Sequence, residues 1–147
     1  MEFLATEHFV YRYRLLLKKR KQYGCIDQNF RDQFADAGNE TLWNMGYQLF
    51  LKGMFRSAKV RIKSCSGHGD SSGFRVISLV NKETNRYYFL DIYPKTGKYA
   101  QASFDKQELK EFLIERKEEE EAGTLFSVEF DFEEELVHMV QKKLVSK

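Results

Sequence analysis

The chain has 147 residues, 42% of them hydrophobic and 15% aromatic, which suffices for one domain with a real core and excludes global disorder. No apolar run approaches membrane-spanning length, and "MEFLATEHF" lacks the charged-then-apolar layout of a signal peptide, so a soluble cytoplasmic protein is expected. The net charge of +2 hides an asymmetry: residues 1–100 carry +8 and residues 101–147 carry −6, which points to a polyanionic partner for the basic body.

In chain order, "MEFLA" reads as a short first strand. Thr6 offers an N-cap for a helix, with Phe9, Tyr13, Leu16 and Leu17 on one face and Gly24 as its stop. The run Lys18 to Lys21 suits the negative end of that helix dipole, as a solvated end or as a phosphate-contacting patch. Asp27 can cap a short helix through Phe30 and Phe34. Asn39 can cap another that carries Leu42, Met45, Leu49 and Phe50 and closes at Gly53; Trp43 and Met45 read as core. The two cysteines, Cys25 and Cys65, have neither framework nor metal spacing and are expected as free thiols.

The texture then changes. In "AKVRIKS", Val60 and Ile62 face one way and Lys59, Arg61 and Lys63 the other. "FRVISLVN" is a second strand, "KETN" a turn and "RYYFLDIY" a third strand ending at Pro94, giving an antiparallel meander. Ser103 caps a helix carrying Leu109, Phe112 and Leu113, whose acidic end, Glu118 to Glu121, reads as solvated. "TLFSVEFDF" alternates like a strand. Asp131 and Glu134 resemble a capping box for a last helix bearing Leu136, Met139, Val140 and Leu144. The fold class is α+β, a small antiparallel sheet packed against N-terminal helices and a helix after the meander, with a C-terminal extension.

No P-loop, GxGxxG, HExxH or paired CxxC occurs. His8 and His138 read as ordinary helix residues. Ser66, His68 and Asp70 lie too close in one loop to orient one another as a triad. What remains is a basic strand face: Arg61 and Lys63 stand about 6.5–7 Å apart on one side of a strand. Arg75 can reach the same face, and Lys95 and Tyr99 follow the third strand. Such cations repel unless an anion lies among them; RNA phosphate is suitable, and Tyr93 or Tyr99 could stack a base. The same alternation also fits any half-exposed strand.

The segments "RIK", "GHGDSSGFRV", "LDIYPK" and "ASFDKQELKEFL", with the opening "MEFLATEHF", resemble the RelE/ParE toxin superfamily, nearest its HigB-like branch. The resemblance covers residues 59–115 well and 1–24 loosely. It implies a RelE-like toxin domain over residues 1–122 and an extension over 123–147. It further implies an mRNA interferase, an endoribonuclease that needs no metal or cofactor and works through attack of the ribose 2′-hydroxyl. As carried over, Arg61, Lys63, Arg75, Lys95 and Tyr99 are the catalytic cluster, and Lys59, His68, Tyr93 and Lys98 contact RNA, with His68 a candidate base. The implied partners are mRNA, on or off the ribosome, and a cognate antitoxin protein, with no membrane. Some members of the superfamily inhibit gyrase or only bind, so a non-catalytic protein on the same fold is the rival reading. The extension is expected either to dock on the body and mimic such a partner or to form a homodimer contact.

Overall fold

The structure, a computed structural model, describes residues 1–19, 25–63, 73–95, 105–134 and 136–141. Among these residues four helices lie on a seven-stranded mixed sheet, an α+β fold. The strands are β1 (Glu2–Ala5), β2 (Tyr47–Lys52), β3 (Phe55–Ile62), β4 (Phe74–Asn81), β5 (Arg86–Pro94), β6 (Phe126–Asp131) and β7 (Leu136–Gln141). The helices are α1 (Glu7–Leu17), α2 (Ile26–Phe34), α3 (Asn39–Asn44) and α4 (Lys106–Ala122).

Strands β4 and β5 are mostly apolar and are buried at every position but Arg86, so they take the middle of the sheet. The order is β2-β3-β4-β5-β1-β6-β7. The meander β3-β4-β5 is antiparallel, and β1 runs parallel beside β5. The turn Lys82–Asn85 is closed by the Asn81 carboxamide, which accepts from the Glu83 and Thr84 N–H groups.

Alternation along the strands divides two cores. Helices α1 and α2 cover one face with Phe9, Tyr13, Phe30 and Phe34, packed on Val60, Val76, Phe89 and Ile92. Helix α4 covers part of the other with Leu109 and Phe112, packed near Ile77, Leu79, Tyr88 and Leu90. Thr6 caps α1 as expected, accepting from the Phe9 N–H. The helix ends at Leu17, ahead of the basic run; Gly24 lies outside the described residues.

Four expectations are corrected. First, the helix begun at Asn39 stops at Asn44, and Tyr47–Lys52 is an edge strand, so Gly53 closes a hairpin turn and not a helix. Leu42, Met45, Leu49 and Phe50 do have helical spacing, but pairing with β3 overrides it. Second, Leu136–Gln141 is a strand and not a helix, paired antiparallel with β6 and carrying His138. Period two governs there: Val137 and Met139 pack on the core while Leu136 and Val140 are exposed. Asp131 still accepts from the Glu133 and Glu134 N–H groups, as a turn and not as a cap. Third, the acidic end of α4 is anchored. Glu119 accepts from the Glu7 N–H at 2.8 Å, and Glu120 binds Arg86, Arg116 and the Tyr88 hydroxyl. Fourth, Cys25 is in a disulfide and is not a free thiol. An argument from redox compartment does not see which sulfurs a fold brings together. Cys65 and Ser103 lie outside the described residues; α4 is capped by Asp105 and α2 begins after Cys25, with Asp27 inside its first turn.

The bend between α3 and β2 is set by Gly46, whose φ is +81°. A Cβ there would meet the Lys59 carbonyl oxygen at 2.6 Å and a Val60 methyl at 2.9 Å. Gly46→Ala is therefore expected to destabilise the fold by about 2–3 kcal/mol, combining left-handed strain with a backbone clash. Urea denaturation measures this; an unchanged midpoint would show that the bend does not need glycine.

Candidate phosphate-binding site

The cationic residues come from the three meander strands. Val60, Ile62, Phe74 and Val76 face α1 and α2, so Lys59, Arg61 and Arg75 face the opposite side. The register places Arg61 opposite Arg75, and Arg75 opposite Tyr93. Directly opposed residues have Cβ atoms about 5 Å apart, so these side chains form one row across the sheet. Lys95 follows β5, its N–H bonded to the Gly73 carbonyl and its ammonium 5.8 Å from the centre of the Tyr93 ring. Burial, then the charges of Arg75, Lys59 and Arg61, hold the Lys95 ammonium below the usual lysine range. Four cations share one neighbourhood, an arrangement that repels itself and favours a bound anion.

The members of the row are not alike. Arg61 is exposed, and Lys59 and Lys95 are half-buried. Arg75 is only 4% exposed and donates to the Phe74 carbonyl at 3.1 Å. Arg75 reaches the expected face but is buried there and not half-exposed like Lys59. Tyr93 is fully buried and its hydroxyl has no hydrogen-bond partner among the described residues, so it cannot be a platform for a base. Lys63 is exposed at the end of β3 and is not among the cations acting on Lys95. His68, Lys98 and Tyr99 lie outside the described residues.

No protein-family model, curated protein or solved structure matches the chain. The site must therefore be read from its own geometry.

Three features escape a reading of the sequence. Tyr47 pairs with Lys59 across β2 and β3, is 71% exposed, and has the Lys59 ammonium 5.7 Å from its ring centre. It is an exposed aromatic beside the cations, hidden in the sequence because its segment has helical spacing. A cavity of about 600 Å³ opens there, lined by Lys59, Arg61, Tyr47 and Gln33 among others. On the other side of the row, Asp91 shares a face with Tyr93 and lies 2.9 Å from His8 and 3.7 Å from Arg12. "LDIY" gives no sign that its aspartate is buried against a helix 80 residues earlier.

The extension belongs elsewhere. β6 pairs with β1, and Phe130, Val137 and Met139 pack on the α1–α2 face, opposite the cationic row. Residues 124–134 and 136–141 thus do not mimic a partner on that row. Among the described residues no three metal-binding side chains converge, and no helix is long and apolar enough to cross a membrane.

Proposed function

We propose that this chain is a RelE/HigB-like endoribonuclease that cleaves mRNA in the cytoplasm, without metal, by attack of the ribose 2′-hydroxyl. The observation that carries this reading is the cationic row, in which Arg61, Arg75 and Lys95 meet from three strands. A phosphodiester there meets the exposed Arg61 guanidinium and the Lys95 ammonium, with the buried charge of Arg75 behind them, and its developing charge is stabilised as the phosphorane forms. The O2′–P bond forms, the P–O5′ bond breaks, the 2′ proton leaves to a base and the 5′ oxygen takes a proton. Lys95 suits the last step, because its depressed affinity for a proton makes it a better acid than an ordinary lysine. Tyr47 offers a neighbouring base a stacking surface. The ribosome as the place of action and an antitoxin as the natural inhibitor belong to the same proposal.

The buried state of Arg75 supports a second reading, in which the row only holds phosphate and the protein binds nucleic acid or a protein partner without cleaving. One experiment separates the two. Purified protein is incubated with RNA and EDTA, with and without ribosomes. Fragments ending in 2′,3′-cyclic phosphate and 5′-hydroxyl are expected, and a 2′-deoxy substitution at the cleaved position should abolish cleavage. Binding with intact RNA would replace the enzyme by the binding protein.

A further inference from the structure

Asp91 is 1% exposed in the middle of the sheet, between Leu90 and Ile92. Its Oδ1 meets His8 Nε2 at 2.9 Å, and Arg12 stands 3.7 Å away, while its Oδ2 has no hydrogen-bond partner among the described residues. A buried carboxylate with one oxygen unmatched is a poor stabiliser; packed apolar residues generally do as well or better. His8 is held from a second side by Phe112 of α4, with ring centroids 4.9 Å apart, yet its side chain remains 31% exposed. A cavity of about 310 Å³ opens beside it, lined by His8 and Arg12 with Tyr11, Leu15 and Leu16. Asp91 and Tyr93 are two apart on β5, and Tyr93 is opposite Arg75, so Asp91 lies one strand over and two residues along from Arg75 of the cationic row.

We propose that His8 is the general base of this site and that Asp91 is its positioning residue. The inference rests on the ribonuclease reading. With Nε2 committed to Asp91, the Nδ1 atom of His8 takes the 2′ proton as the O2′–P bond forms and the P–O5′ bond breaks. The departing O5′ takes its proton from Lys95, and Asp91 stabilises the imidazolium until the proton is passed on. Three elements assemble the group: the start of α1, the end of β5 and the first half of α4.

The test uses the full chain and a ribose-containing oligonucleotide in EDTA. His8→Ala should lower kcat about 100-fold or more with KM nearly unchanged. His8→Gln, which can still bond Asp91, should lose as much. Added imidazole should restore part of the rate of His8→Ala but none of that of Arg61→Gln. Asp91→Asn should lower kcat, again at nearly constant KM, without imidazole rescue. An unimpaired His8→Gln, or a His8→Ala loss that imidazole does not relieve, overturns the assignment while leaving the ribonuclease reading intact. An inactive wild-type protein overturns both.

Discussion

Under the proposed ribonuclease reading, changing Arg61→Gln and Lys95→Gln together is expected to lower the rate of RNA cleavage by at least about 10²–10³-fold and to leave the fold standing. The size is a floor, because two donors that would meet the charge of a phosphorane are lost and one such donor alone is commonly worth that much. The fold survives because Arg61 is exposed and Lys95 half-buried, and because both repel their neighbours in the unliganded protein. Arg75→Ala is a poorer test: that side chain is 4% exposed, so its removal confuses folding with function. The check is an initial rate on RNA beside a urea denaturation curve. Affinity should lose salt dependence too, its logarithmic slope falling by about 1.4 for two lost contacts to single-stranded phosphate. Full activity in the double variant would remove the cationic row from the chemistry.

Arg56→Met destabilises the protein by about 3 kcal/mol, lowering Tm by about 10 °C. Arg56 is 7% exposed and its guanidinium donates to the carbonyls of Trp43, Met45 and Gly46 and to the Gln48 side chain. It thus fastens the end of α3 and the bend at Gly46 to β3, beside the cavity of Tyr47 and Lys59. Methionine fills much of the space but leaves three carbonyl groups unmatched. Arg56→Lys should recover only part of the loss, because one ammonium cannot serve that fork of acceptors. Denaturation midpoints decide: an unchanged Tm would mean the bend stands without the arginine. Because the bend carries Tyr47, RNA affinity should fall along with stability.

Both experiments bear on residues of very different legibility. Arg61 announces itself, since Lys59, Arg61 and Lys63 alternate with Val60 and Ile62 in one strand. Arg56 does not. It precedes that alternation, and only the return of the chain through Met45 and Gly46 gives its guanidinium acceptors. His8 and Asp91 show the same contrast from the opposite direction. Each looks like an isolated polar residue in an amphipathic segment, and their pairing depends on β1 lying beside β5.

The amino-acid order alone determined those elements whose signals are local. Thr6 caps α1, period two marks β3, short strand-like runs mark β4 and β5, and Lys82–Asn85 reads as the turn between them. It also placed Lys59 and Arg61 on one side of a strand, because side-chain direction is a property of the backbone itself. Tertiary pairing decided the rest. Tyr47–Lys52 and Leu136–Gln141 carry helical spacing but gain more from edge hydrogen bonds and an apolar face than from a helix with nothing to pack against. Whether Arg75 is exposed, whether Tyr93 can meet a base, and which carboxylate holds His8 all depend on neighbours distant in the chain. Burial is created by the assembled sheet and belongs to no segment of it.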